Sequence, residues 1–164
     1  MKSEKKLNLS NPWHLLATGF GIGRFSTMPG TVGTLAAIPF FLFLGGLPLI
    51  AYLGTVTMAS ILGIFICSRA SEGVGLHDHS SIVWDEFVGF WITMLVVPVL
   101  QLSPFDWKLI FFGFLYFRFF DVAKPWPVCW LDENVKGGWG VIIDDIAAGM
   151  VAMFCLWLTH AVFW

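Results

Sequence analysis

This sequence predicts an all-α fold: a small polytopic membrane helix bundle of about five helical segments with a short N-terminal amphipathic helix, forming one domain over residues 1–164. Three observations carry the expectation. The 164 residues are 57% hydrophobic, 17% aromatic and only 12% charged, and a mean hydropathy of +0.79 does not suit a soluble domain of this length. Apolar runs that reach membrane-crossing length alternate with turns rich in glycine and proline. When the helices are made to alternate across a membrane, the cations fall on one side.

The segments follow in order. Residues 1–10 are polar, and MKSEKKLNLSNPW has no apolar core of the signal-peptide kind, so it is expected to stay in the mature chain. Asn11 followed by Pro12 reads as an N-cap with proline at the first helical position, opening a short helix through Trp13, Leu15, Leu16 and Ala17. A glycine-rich turn comes next, GFGIGRFSTMPGTVGT. Its glycines allow close backbone approach to a ligand, but it lacks the Gly-Lys-Ser/Thr ending of a P-loop. The apolar stretch from Thr34 to Gly45 is short of the ~20 residues a span needs, so a tilted or half-inserted helix beginning back in the turn is expected. Leu47 to Cys67 is a full-length span. Ser81 to about Leu100 forms the third apolar segment, interrupted only by Asp85 and Glu86. Gln101 to Trp107 is a polar turn and Lys108 to Val122 a Phe-rich helix, stopped by Lys124-Pro125-Trp126-Pro127. A polar loop through Asp132, Glu133, Asn134, Lys136, Gly137 and Gly138 then leads to the last span, Val141 to Trp164.

With a cytoplasmic N-terminus, alternation from Thr34 onward puts Lys2, Lys5, Lys6, Arg24, Arg69, Arg118, Lys124 and Lys136 inside and only Lys108 outside. The same assignment brings every carboxylate except Asp106 to the inner side, although the spans were drawn from hydropathy alone. The expected site therefore lies at the cytoplasmic membrane interface. A net charge of −2 and the lack of a basic stripe argue against nucleic acid. Cys67, Cys129 and Cys155 lack metal-binding spacing and read as packing residues.

Charge is scarce here, so its placement is informative. HDHSSIVWDEFVGF gathers His77, Asp78, His79, Asp85 and Glu86 ahead of an apolar run. Asp121 and the pair Asp144 and Asp145 also stand at ends of apolar runs. Carboxylates at membrane depth are expensive and mark a functional site by default; the bland reading is helix N-terminal acids favoured by the macrodipole. Acids from separate helices without Cys make a hard oxygen site suited to Mg²⁺. Neighbours on a helix diverge by about 100°, so within each acidic pair one residue is expected to ligate while the other faces an adjacent helix. Arg118, Asp121 and Lys124 share one helix face, as a structural ion pair or as a metal-ligating acid between two phosphate-binding cations. Arg24 is the other phosphate candidate or a lipid-headgroup anchor. His77 and His79 suit general acid or base work. His14 is a weaker candidate on the short helix, and His160 falls on the outer side. Trp84, Trp126, Trp130 and Trp139 fit an aromatic belt or ordinary packing.

NPWHLLATGFG, PGTVGTLAAIP, HDHSSIVWDEFVG, FRFFDVAKPWP and GGWGVIIDDIAAG, in this order and over most of the chain, closely resemble the bacterial phosphatidylglycerophosphatase A family. The resemblance implies a small helical enzyme of the bacterial inner membrane, dependent on Mg²⁺, with the lipid phosphatidylglycerophosphate as substrate and phosphatidylglycerol, a precursor of cardiolipin, as product. With it, the metal is expected at Asp85, Glu86, Asp144 and Asp145, with Asp121 close by, and a water made nucleophilic there. Arg24, Lys124 and Arg118 would meet phosphoryl oxygens, and the glycine-rich turn would add backbone N–H groups and the hydroxyls of Thr31 and Thr34. Asp85 and Asp145, with His77 and His79, are the expected catalytic groups, and a covalent aspartyl route stays open. Two rival readings are a CDP-alcohol phosphotransferase-like enzyme, whose longer Asp-Gly-x2-Ala-Arg motif is missing, and an ion or proton transporter, which would want acids along a path and an internal repeat.

Overall fold

The first helix forms as its cap dictates: the Asn11 side chain accepts from the Trp13 N–H, Pro12 sits at the first helical position, and α1 runs Pro12–Ala17. The structure, a computed structural model, describes residues 7–72 and 79–164. After a 3₁₀ turn over Ile22–Arg24 come α2 (Pro29–Leu44), α3 (Leu49–Ser71), α4 (Trp84–Thr93), α5 (Val96–Leu100), α6 (Trp107–Ala123), α7 (Val128–Asn134) and α8 (Gly138–Phe163). No strand occurs among the described residues. The all-α expectation holds, and α2 does begin back in the glycine-rich turn. The helices α3 and α8 are long and apolar enough to cross a membrane. Large side chains such as Ile50, Phe65, Phe119 and Phe154 point outward, as suits helices whose solvent is hydrocarbon. This is a small helical membrane protein.

Two elements differ from expectation. The third apolar segment is broken at Met94 and Leu95 into α4 and α5. Pro98 has no N–H for the Met94 carbonyl, which Val97 takes instead at 3.0 Å in a tighter turn. The loop expected before the last span contains α7, and α8 starts three residues early, at Gly138. Val128 is fully buried and Leu131 packs against the core, so an i, i+3 apolar pair secures this short helix against the bundle.

α8 is the central element, packed on α3, α4, α6 and α7. Its crossing with α4 is a contact of backbones at Gly89 and Gly149. A Cβ on Gly149 would stand 2.5 Å from the Gly89 carbonyl oxygen, and one on Gly89 would stand 2.9 Å from the Asp145 carbonyl oxygen. Small residues at such a crossing permit the close approach that stabilises helix pairs in lipid. Thr93 Oγ1 bridges the seam, bonded to the carbonyls of Gly89 at 3.0 Å and Gly149 at 3.3 Å. Aromatic polar atoms are satisfied across helices as well: Tyr52 O–H donates to Trp91 O (2.6 Å), Trp91 Nε1 to Ala37 O (3.1 Å) and Trp84 Nε1 to Ala59 O (3.0 Å).

At one end of the bundle the N-termini of α2, α4 and α8 meet the C-termini of α3 and α6. Gly30 of α2 abuts Glu86 of α4 and Arg118 of α6, and Gly138 of α8 abuts Ser68 of α3. The up-and-down alternation of five segments is what brings these ends together.

Gly149→Val is expected to lower stability in detergent by about 1–3 kcal/mol, because a backbone carbonyl cannot yield to the added methyls. Gly54→Ala, at a site with nothing within 4 Å of the new Cβ, should leave the melting temperature equal or higher. Thermal unfolding of both variants checks the seam.

Candidate active site

Asp85 and Glu86 occupy the first turn of α4, and Asp145 the second turn of α8. Helices joined at the Gly89–Gly149 seam set these turns against one another, and each acid offers one oxygen within 4.8 Å of the other two. Glu86 and Asp145 are buried. Asp85 Oδ1, Glu86 Oε2 and Asp145 Oδ2 are buried oxygens without a hydrogen-bond partner among the described residues. The expected divergence of Asp85 and Glu86 is thus not found. Both bring a carboxylate oxygen to the Asp145 side, while Glu86 Oε1 faces Arg118. Asp144 and Asp145 do diverge: Asp145 joins the trio, while Asp144 turns to a cation.

That cation is Lys124, just beyond the C-terminus of α6. Its Nζ lies 2.7 Å from Asp144 Oδ2 and 2.6 Å from Asp132 Oδ1 of α7. Burial opposes the ammonium charge, but the hydrogen bonds and charges of Asp132 and Asp144 outweigh it and hold the Lys124 pKa above the ordinary lysine value. Lys124 therefore stays charged at neutral pH while bound to both acids. A cavity of about 240 Å³ opens beside this pair, lined by Asp132, Val135, Lys136, Gly140 and Asp144.

Arg118, toward the C-terminal end of α6, forms an ion pair with Asp121 and lies 3.9 Å from Glu86 Oε1. Its Nε is buried and makes no bond among the described residues. Asp121 in turn neighbours Asp145. The first turn of α2 closes this side at Gly30: a Cβ there would stand 2.9 Å from both terminal nitrogens of Arg118 and against Glu86 Oε1, so those two side chains would have to shift. Thr31 follows in that turn, partly exposed, while Thr34 is buried with its hydroxyl bonded to Gly30 O at 2.8 Å.

The remaining candidates sit farther from this centre or are otherwise engaged. Arg24 is exposed in its 3₁₀ turn and pairs with no described carboxylate. His79 is buried in the lead-in to α4. Its Nδ1 accepts from the Ser81 N–H at 3.2 Å, and its Nε2 lacks a partner among the described residues. His77 and Asp78 lie outside the described residues. His14 Nδ1 accepts from the Asn8 N–H, within its own segment, and His160 packs on Trp164 at the far end of α8. Trp126, Trp130 and Trp139 are exposed near the charged end, whereas Trp84 is bonded into the bundle. Asp132 as the second partner of Lys124, and Gly30 as the close neighbour of Glu86, were not singled out from the sequence. No local spacing signals the first, and the PGT motif is the only trace of the second.

Fold and site together define a small helical membrane protein that concentrates buried carboxylates and cations at one end of its bundle. The chain belongs to the phosphatidylglycerophosphatase A family, whose profile matches residues 15–160. It is 46% identical over 150 residues to phosphatidylglycerophosphatase A of Escherichia coli (strain K12), covering 92% of this chain and 84% of that protein. It is 41% identical over 150 residues to phosphatidylglycerophosphatase A of Haemophilus influenzae, covering 91% and 89% respectively. No solved structure gives a significant match.

Lys124→Met is expected to destabilise the protein more than Asp132→Ala does, by about 1–3 kcal/mol, because it strands the buried Asp144 while the latter removes only the more exposed partner. Denaturation of the two variants in the same detergent gives the comparison, and equal losses would show that Asp144 does not depend on Lys124.

Proposed function

We propose that this chain hydrolyses phosphatidylglycerophosphate to phosphatidylglycerol and inorganic phosphate, using Mg²⁺ at the cytoplasmic face of a bacterial inner membrane. The observation that carries the reading is the trio of unpartnered buried oxygens on Asp85, Glu86 and Asp145. Of the three, only Glu86 has a cation within reach, Arg118 at 3.9 Å, so an added divalent ion would offset the charge between them, and an all-oxygen donor set fits Mg²⁺. Asp85, Glu86 and Asp145 would hold the ion, and Asp121, beside Asp145, would orient that ligand. When bound, Mg²⁺ supplies Lewis-acid polarisation of a phosphoryl oxygen and a lowered pKa for water.

The chain's own groups supply the rest. Arg118, held by Asp121 and facing Glu86, keeps a buried N–H donor for phosphoryl oxygens, and its planar fork suits them. The first turn of α2 adds backbone N–H groups at Gly30 and Thr31, with the helix N-terminus favouring an anion. Lys124 is occupied by two carboxylates; it holds Asp144 and contributes positive field more than direct contact. Arg24, exposed at the rim, meets the lipid phosphate from outside. Water attacks phosphorus, the bond to the glycerol oxygen breaks, and the departing alkoxide takes a proton. His79, with its unpartnered Nε2, or His77 is the candidate donor. Eight of nine cations on one side in the alternating assignment support a cytoplasmic site.

Asp85→Asn, Glu86→Gln and Asp145→Asn should each lower phosphate release from phosphatidylglycerophosphate micelles by roughly 10²-fold or more, the scale of losing a directed catalytic group. Asp106→Asn, at the N-cap of α6, should keep full activity. Chelation should abolish release and Mg²⁺ should restore it. Full activity in the three variants, or release indifferent to chelation, would overturn the metal-site reading.

A further inference from the structure

Beside the charged end a groove runs along the outer surface between α3 and α8, with a volume of about 490 Å³. Val56, Ser60 and Ile64 of α3 form one wall and Trp139, Met150 and Met153 of α8 the other. On α8 the lining recurs along one helix face, so the groove extends about 21 Å from Trp139 to Met153. That length covers the ~15 Å of one leaflet of a hydrocarbon core.

Three features say what occupies it. The first is chemical: two of the three hydroxyls on its walls are already bonded, Tyr52 O–H to Trp91 O at 2.6 Å and Ser60 Oγ to Val56 O of its own helix at 2.8 Å, and the rest of the lining is apolar apart from Thr57. The interior thus offers almost nothing to a polar ligand. The second is positional. The groove begins at Trp139, in the first turn of α8, and its wall residue Ile146 directly follows Asp145. A molecule whose charged head sits at the carboxylates and whose tail runs toward mid-membrane passes along it. The third is the width at the α3 wall, where small side chains at Thr57 and Ser60 leave a concavity between the bulkier Leu53 and Ile64.

We propose that this groove is an acyl-chain site, holding one hydrocarbon tail of the anionic glycerophospholipid whose headgroup enters the carboxylate site. The inference rests on the phosphatase reading for the identity of that lipid. It adds that the chain is held by the protein rather than left in bulk bilayer, and that α3 and α8 together orient the ester for attack.

The test uses the full chain in phosphatidylcholine nanodiscs with a phosphatidylglycerol bearing a diazirine at the end of one acyl chain. After illumination, the peptide containing Met150 and Met153 is expected to carry an adduct that excess unlabelled phosphatidylglycerol reduces at least fivefold. Label on the outward face of α6 around Phe111 and Leu115 should not respond to that competitor. Met150→Trp, and independently Ser60→Phe from the opposite wall, should lower the competable adduct at least fivefold, while Leu115→Trp should not. An adduct in the groove that does not respond to competitor would mean ordinary bilayer contact and would overturn the proposal. So would a cross-link to a second copy of the chain in place of lipid. Phosphate release by the wild type from phosphatidylglycerophosphate added to the same nanodiscs separates the two readings: a competable adduct without release sinks the phosphatase assignment and leaves the groove standing.

Discussion

Everything at the charged end of this protein follows from the difficulty of keeping carboxylates in an apolar bundle. Asp85, Glu86 and Asp145 bring oxygens within 4.8 Å of one another, and like charges at that spacing repel strongly where water is scarce. The protein does not relieve this with cations placed among them. Arg118 stands off at 3.9 Å from Glu86 and is drawn more closely to Asp121, and Lys124 is committed to Asp144 and Asp132. The trio is therefore left deliberately short of positive charge. The proposed Mg²⁺ would supply the missing charge, as Lys124 supplies it for Asp144.

Holding such a cluster requires a stiff frame, and the frame is the α4–α8 seam. In hydrocarbon there is no hydrophobic drive to join helices, so association depends on fit and on interhelical hydrogen bonds. Gly89 and Gly149 provide the fit and Thr93 the bonds. Gly89 lies one turn beyond Asp85 and Glu86, and Gly149 one turn beyond Asp145. The distance between the acids is thus set by backbones in contact about one turn away and not by flexible side chains. Gly30 brings the first turn of α2 against the ends of the Glu86 and Arg118 side chains.

Much of this was legible in the sequence, because hydropathy and punctuation are local. The Asn11–Pro12 cap, the start of α2 inside the glycine-rich turn, the long spans and the shared face of Arg118 and Asp121 all follow from short-range rules. The convergence of the acidic ends followed too, since alternation of helices is a global consequence of lengths alone. What escaped is set by partners distant in sequence. The break at Met94 depends on a carbonyl deprived of its donor by Pro98, and α7 depends on Val128 and Leu131 finding the core. The convergence of Asp85 with Glu86 reverses an expectation from helix geometry because side-chain reach, and not Cβ direction, decides where a carboxylate ends. The double tether of Lys124 joins residues 8 and 20 positions away, a pairing that no period reveals.

The arrangement also explains why the bundle is lopsided. Its polar chemistry lies in the first turns of α2 and α4, the first two turns of α8 and the C-terminal end of α6, and the rest of those helices is largely apolar. A soluble enzyme would surround such a centre with loops; here the 3₁₀ turn and α7 stand at the charged end. That is where backbone groups outside regular helices can be satisfied by water or headgroups. A lipid whose reactive group never leaves the interface needs no more depth than this. On the proposed reading, the long spans would anchor the site at headgroup level and present an apolar wall to the tails. An acid relay across the membrane would demand carboxylates along the length of α8, yet beyond Asp145 that helix has no acidic residue through Phe163. The acids of α8 stop in its second turn, so a transported ion would find no carboxylate along the rest of that helix.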